Sequence, residues 1–490
     1  IVGVSGIFPQ ASNLGEFWDN MVKNKNSVTL IPEERWDWKE YYKKSPDEQD
    51  KTDIIWGGFL KEVDKFDPDF FGISPREAKH MDPQQRIMLE LAWKTIEDAG
   101  YNPNMLAGSK TGVFIGVADN DYSELHFDKT TTNISQLLTG TAHNILTGRI
   151  SYFFDFHGPS EPLDNACASS LVSIIHAVDA IQNNRCDIAL AGGVHIMLNP
   201  EIYVAFDNLG ILSADGTCRA FDKEANGTVR GEGAGLVMLK RLKKAVADND
   251  HIYAVIKGTG ISHGGTSNSM TAPNPTQQEA AIVEAFERGN IEPATISFIE
   301  THGTGTILGD PIEITALKNA FKKVFSMRNE SMPKKPYCRL GAVKTQIGHL
   351  ESASGIAGLL KVILCMKNKM IPGIQHFNEL NPYINLQDSP FYIEKEVQKW
   401  ERLKDDKGMD IPYRAGISSF GFSGVNAHII LEEYRDLQKK EQKQEMQLFL
   451  FSAKNKDRLQ AYVKQFVCLI EQTPEQNLPS FSDVAFTLQE

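Results

Sequence analysis

Cys167 lies in the run Asp164-Asn165-Ala166-Cys167-Ala168-Ser169-Ser170, directly ahead of a helical pattern, and a thiol placed there is a candidate nucleophile. Leu171, Val172, Ile174, Ile175, Val178 and Ile181 recur at helical spacing, which predicts a helix over about 167–183 with one apolar face. Asp164 or Asn165 is placed to cap its start. At a helix N-terminus the positive end of the macrodipole favours thiolate and lowers the thiol pKa. The competing reading of a free cysteine is a small buried hydrophobe. Two histidines share the placement of Cys167. A strand pattern at 296–300 runs into Thr301-His302-Gly303-Thr304-Gly305-Thr306. Asp310-Pro311-Ile312-Glu313 then reads as a helix start, with Asp310 as N-cap, Pro311 at the first position and Glu313 closing a capping box. A second strand pattern at 340–343 leads through Lys344 to His349, ahead of the small-residue run Ser352-Ala353-Ser354-Gly355. Two histidines at equivalent strand-to-helix junctions, with a cysteine at a helix start, favour the nucleophile reading of Cys167 over the buried-thiol one.

These junctions require a scaffold of alternating strands and helices. Strand patterns fall at 113–117, 188–191, 236–239, 254–257, 296–300 and 340–343, and helical ones at 82–99, 168–183, 276–289, 311–324 and 355–367. The alternation predicts an α/β fold with helices packed on largely parallel sheet, and function at the strand C-termini. No internal repeat stands out. Gly231-Glu232-Gly233-Ala234-Gly235 and Gly258-Thr259-Gly260 lack dinucleotide spacing, so phosphate binding is not expected there. Gly421-Phe422-Ser423-Gly424 is not a nucleophile elbow, and no metal-ligand spacing occurs. The texture changes near 435, where Lys, Gln and Glu dominate through 447. A strand pattern at 448–452 and an amphipathic helix at 454–471 follow. The expected division is therefore 1–435, a charged linker at 436–447, and the start of a further subdomain at 448–490.

Among 490 residues, 51 Lys and Arg stand against 63 Asp and Glu, a net charge of −12. An acidic chain without a basic run excludes nucleic acid and anionic membrane as the expected main partner. Six scattered cysteines without a C-x-x-C pair fit a reducing cytoplasm better than a disulfide framework or structural zinc. No run of 18 apolar residues predicts a membrane span. The chain opens at Ile1-Val2-Gly3 without Met or a signal peptide and stops in mid-pattern at Gln489-Glu490, which reads as a piece of a longer polypeptide.

Several motifs, in order, give the chain a family likeness. Met81-Asp82-Pro83-Gln84-Gln85-Arg86, Gly158-Pro159-Ser160, the Cys167 run, Arg230-Gly231-Glu232-Gly233-Ala234-Gly235, the His302 and His349 segments, Ser419-Phe420-Gly421-Phe422 and Asn426-Ala427-His428 are collinear. Over about 1–435 the chain resembles the ketosynthase (β-ketoacyl synthase) domain of modular polyketide synthases, in the thiolase-fold superfamily of condensing enzymes. Residues 448–490 resemble the start of the linker subdomain that follows such domains.

The resemblance implies a layered αβαβα thiolase-like fold with a small α/β linker subdomain beginning at its C-terminus. It makes Cys167 the acyl-accepting nucleophile and His302 and His349 the pair serving decarboxylation and condensation. Lys344 matches the family lysine five positions before the second histidine, and Glu313 the acidic partner that holds it. Phe422 matches the residue whose backbone N–H joins that of Cys167 in the oxyanion hole. The implied reaction accepts an acyl chain from an acyl carrier protein and extends it by decarboxylative Claisen condensation with a malonyl-type extender. No cofactor is bound by the domain itself; both thioesters arrive on the phosphopantetheine of the carrier. The resemblance also implies a cytoplasmic homodimer, neighbouring synthase domains and a role in antibiotic-type biosynthesis. Ser160-Glu161-Pro162 and Ser452-Ala453-Lys454-Asn455 resemble synthases supplied by separate acyltransferases.

Four positions depart from the family pattern: Asn165 for Thr, Ala168 for Ser, Gln346 for Asn and Ser423 for Gly. None removes a catalytic group, and they bear on substrate preference and rate. The alternatives are a transacylating or gating domain that passes chains on without extension, a cysteine hydrolase of Cys-His-Asn type, and a carrier-docking module without chemistry.

Overall fold

The six strands and five helices expected between residues 82 and 367 all form in the computed structural model, which describes every residue except 46, 127–133, 268, 334, 436–446, 474–477 and 490. Apolar runs become strands because both faces of each sheet are covered: Ile188–His195 and Gly233–Lys240 are buried along their whole length. The chain divides into two compact units, Ile1–Tyr434 and Arg435–Glu490. Apart from residue 447, the charged linker expected at 436–447 lies outside the described residues.

Two large sheets organise the first unit, beside two short two-stranded ones. One has the order Gly3–Ile7, Gly233–Lys240, Ile188–His195, Thr111–Gly116, Ser160–Leu163. The other runs Phe391–Ile393, Cys338–Gly341, Phe298–Glu300, Arg414–Phe420, Val425–Glu433, Ala254–His263. The expectation of largely parallel sheet needs correction, because each sheet joins a parallel part to an antiparallel part. The antiparallel strands escaped the sequence reading where glycine, serine and asparagine interrupt apolar runs, as in Arg414–Phe420 and Val425–Glu433.

Beneath this lies a repeat that the sequence does not display. With the edge strand Phe391–Ile393 set aside, in each half the first strand pairs antiparallel with the last, the last antiparallel with the fourth, the fourth parallel with the second, and the second parallel with the third. In each half the third strand leads into the helix that fills the centre: Ser169–Gln182 after Ser160–Leu163, and Ser354–Asn368 after Cys338–Gly341. Both helices contact strands of both sheets. Leu171, Ile174, Ile175, Ile356, Leu359 and Val362 are buried there, each worth ~1.5–3 kcal/mol relative to exposure. Pro83–Asp98 packs on the outer face of the first sheet, and Pro275–Gly289 on that of the second, giving helix, sheet, helix, sheet, helix in layers.

The second unit contains the helices Lys456–Gln472 and Phe481–Gln489. Asn455 caps the first by accepting the N–H of Arg458 at 3.0 Å. Residues 448–452 do not form the expected strand. Their alternating apolar side chains serve helix packing instead: Phe451 meets Phe466 at 5.2 Å between ring centres and Tyr462 at 5.5 Å.

Candidate active site

Cys167 does not stand in the helix but in a 3₁₀ turn, Ala166–Ala168, ahead of it. Ala166 is held at φ +50°, a conformation that costs an L-residue ~1–2 kcal/mol. Asp164 accepts the N–H of Ala166 at 3.0 Å, and Asn165 makes no side-chain cap. Ser169 locks the turn, its hydroxyl accepting from the N–H of Asn165 at 2.8 Å and donating to Ala166 O at 2.6 Å. The turn presses against the first sheet through Gly116, where a Cβ would lie 2.5 Å from the backbone of Ser169 and Ser170. Two hydroxyls from the other half grip the Cys167 carbonyl: Ser354 donates to it at 3.0 Å and Ser419 at 2.7 Å. The backbone N–H groups of Phe422 and of Cys167 itself favour a thiolate at Sγ.

The expectation of a lowered thiol pKa is overturned. Burial pushes the Cys167 thiol up to about 12, and the Glu351 carboxylate adds to this. The two N–H groups and Lys344 oppose the shift without cancelling it.

His302 follows the Phe298–Glu300 strand in a loop with Gly303 at φ +47° and Gly305 at φ +72°. The helix behind it spans Gly309–Met327, begins before Asp310 and has no side-chain cap, so the predicted capping box does not form. Both carboxylates reach into loops instead. Glu313 accepts the N–H of His302 at 2.7 Å and of Gly303 at 2.9 Å. Asp310 accepts from Phe221 at 2.7 Å and Gly305 at 3.2 Å. Burial pushes both carboxyls up to about 7 against these donors. Glu313 does not form an ion pair within 4 Å with Lys344 among the described residues; its influence on that ammonium is through charge alone. Burial nonetheless lowers the Lys344 pKa.

His349 sits after Gly348, which adopts φ +79°. Its backbone is pinned on both sides, its N–H donating to Val229 O at 2.6 Å and its carbonyl accepting from Gly231 at 2.8 Å. The N–H of Glu351 donates to Nδ1 of the ring at 2.9 Å. Nδ1 therefore carries no proton, and a neutral ring bears it on Nε2. Burial, and next Lys344, hold both His302 and His349 well below the ordinary imidazole pKa, so both are neutral at pH 7. The two rings meet edge to face at 5.3 Å between centres. Sγ of Cys167 and one nitrogen of each histidine lie within 4.8 Å of one another. They line a cavity of about 780 Å³ together with Phe206, Ile307, Phe420 and Phe422.

The structure thus brings Cys167, His302, His349 and Phe422 to one cavity, with Glu313 beside them and Lys344 acting on all three reactive side chains through its charge. Of the four departures, Ala168 is wholly buried in the central core, and Gln346 donates to Met21 O at 3.2 Å and to Asn24 at 3.1 Å; neither lines the cavity. Asn165 packs its carbonyl against Gly421, and the Ser423 carbonyl is 3.1 Å from a ring nitrogen of His263. Sequence reasoning missed Asp119, His195 and Glu351, which surround Arg230 beside His349. Asp119 follows the second strand of the first half as His302 follows that of the second, the same strand-end logic that found the histidines.

Family models match in succession: the N-terminal domain of β-ketoacyl synthases over residues 1–245, the C-terminal domain over 253–378, and the ketoacyl-synthetase C-terminal extension over 381–484. Polyketide synthase PksN of Bacillus subtilis is 46% identical over 494 residues, which cover all of this chain and 9% of that protein. The chain thus spans about a tenth of that relative's length. Among solved structures, the ketosynthase from module 6 of the Bacillus subtilis bacillaene synthase is 41% identical with a TM-score of 0.86, over 100% of this chain and 79% of that one. The oxazolomycin ketosynthase domain OzmH KS7 of Streptomyces albus is 37% identical with a TM-score of 0.91, over 100% and 84%. The fold is thiolase-like, the family's enzymes are acyltransferases that join carbon to carbon by decarboxylative condensation, and this chain belongs to the β-ketoacyl synthases as a ketosynthase domain of the polyketide-synthase kind.

Proposed function

We propose that Cys167 accepts an acyl chain from a carrier-protein thioester and that His302 and His349 serve its extension by a malonyl-type thioester. The observation that carries this reading is the meeting of Sγ with two neutral imidazoles within 4.8 Å, in a cavity of about 780 Å³. In the first step Sγ gives up its proton and attacks the thioester carbonyl; the carrier thiol leaves with a proton. The oxygen gathers negative charge, and this reading assigns its stabilisation to the N–H groups of Cys167 and Phe422, which also favour the thiolate. In the second step CO2 leaves the malonyl unit and its electron pair passes into the thioester as an enolate. Neutral imidazoles donate hydrogen bonds to that oxygen without protonating the carbon, and the Nε2–H of His349 is such a donor. The carbon then attacks the acyl-Cys167 carbonyl, sulfur departs, and a β-ketoacyl chain forms on the carrier. None of these steps calls for a cofactor held by this chain, because the phosphopantetheine belongs to the carrier.

An acyl carrier protein, a cytoplasmic setting, neighbouring synthase domains and supply by separate acyltransferases complete the proposal. So does a homodimer: the Ser160–Leu163 strand stands at the edge of its sheet, where a second copy can continue the ladder. No helix among the described residues is long and apolar enough to cross a membrane. The residues 1–435 act as the condensing domain in this reading and 448–490 begin the following subdomain. The test replaces His302 or His349 with Gln. Both variants should still take an acyl group on Cys167 and lose CO2 release from malonyl thioester by about 10²-fold or more. Retained CO2 release in both variants would contradict the histidine assignment, whereas a wild-type chain that acylates without releasing CO2 would favour a domain that only passes chains on.

A further inference from the structure

Four charged side chains from separate elements meet behind His349. Arg230, its side chain 1% exposed, donates from Nε to Glu351 at 2.5 Å and lies 3.5 Å from Asp119. Its guanidinium is stacked over Tyr203 at 4.9 Å and Phe206 at 5.2 Å. His195 places Nε2 at 2.8 Å from Asp119 and 3.5 Å from Glu351, and Nδ1 at 2.8 Å from Gly231 O. Since both nitrogens face oxygens that only accept, the ring is an imidazolium. Burial opposes this charge, but Glu351 and Asp119 raise the His195 pKa to about 9. Two carboxylates and two cations therefore balance.

Burying four charges is costly, and an apolar cluster of equal volume serves stability as well or better. Its placement suggests another purpose. Glu351 is held at φ +43°, a strained conformation that persists only when its surroundings over-determine it. That conformation directs its N–H at Nδ1 of His349. The peptides on either side of Arg230 meanwhile fix the His349 backbone, so one residue braces both the ring's partner and the ring's own chain. We infer that Glu351, clamped by Arg230 and His195, is a positioning residue for the decarboxylation half-reaction, holding its peptide N–H on His349 so that the ring keeps its proton on Nε2. The inference rests on the role proposed above for His349.

Two assays on one preparation test it: acylation of Cys167 by an acyl phosphopantetheine thioester, and CO2 release from malonyl phosphopantetheine. Glu351→Gln keeps size and backbone and removes the charge that Arg230 and His195 hold. CO2 release should fall about tenfold or more, as misplacement of a reacting group costs. Acylation should not fall with it, since Cys167 does not rely on the Nε2 proton and loss of the Glu351 charge removes one that opposes its thiolate. Nitrogen-15 spectra of labelled histidine should show the His349 ring losing its single Nε2–H form, and Arg230→Lys should lose less CO2 release than Arg230→Met. Unchanged CO2 release in Glu351→Gln would overturn the inference, as would equal loss in both assays with an unaltered His349 signature. A wild-type chain that acylates but releases no CO2 would instead sink the elongation reading itself.

Discussion

Ala166 and Glu351 occupy the same place in the two halves of the fold. Each has positive φ, +50° and +43°, each opens a 3₁₀ turn, and each precedes a central helix by three residues. The helix-opening serine then donates back to its carbonyl, Ser169 to Ala166 at 2.6 Å and Ser354 to Glu351 at 2.8 Å. One half spends the turn on presenting a sulfur and the other on orienting a histidine.

Strain at Ala166 gives a graded expectation. Ala166→Gly relieves the left-handed conformation and should leave stability within about 1 kcal/mol. Ala166→Val puts a β-branched side chain at positive φ and should cost about 2 kcal/mol or more, with acylation of Cys167 falling in parallel. Thermal melting and intact-mass labelling check both; a valine variant as stable as the parent would contradict the strained turn.

Glu313 grips the His302 loop rather than its own helix. Glu313→Ala leaves two buried N–H groups without acceptors, at about 1–3 kcal/mol each. The melting temperature should drop and CO2 release should fall more than Cys167 acylation, because the loop carries His302. Equal stability in the alanine variant, measured by denaturant unfolding, would show that the loop does not need these bonds.

Cys167 should behave as a thiol at neutral pH. With its pKa pushed up to about 12 by burial, iodoacetamide alkylation should still be rising at pH 10 instead of levelling off near 8. Lys344→Met removes a cation that favours thiolate, so alkylation at fixed pH should slow. A plateau below pH 8 would restore the helix-dipole expectation.

The layers and the three reactive junctions were legible because apolar periodicity and strand-end placement leave marks along a single stretch of chain. His302 and His349 each follow a readable strand, and Cys167 precedes a readable helix, although the Ser160–Leu163 strand ahead of it was not read. The antiparallel pairing was not legible, since pairing depends on partners far apart in sequence, as with Gly3–Ile7 on Gly233–Lys240. Asp310 and Glu313 had capping-box spacing, yet tertiary donors in the His302 loop drew both away from the helix end. The thiol pKa went astray for the same reason: burial comes from the whole fold, whereas a helix start is local. Asp119, His195, Arg230 and Glu351 come together only through strand order.

The most direct test is intact mass spectrometry of the chain with an acyl thioester, followed by malonyl-loaded carrier protein. The account predicts an acyl adduct on Cys167 that disappears as β-ketoacyl carrier forms with loss of CO2. An adduct that forms and is never extended would contradict elongation, and no adduct at all would contradict Cys167 as the nucleophile.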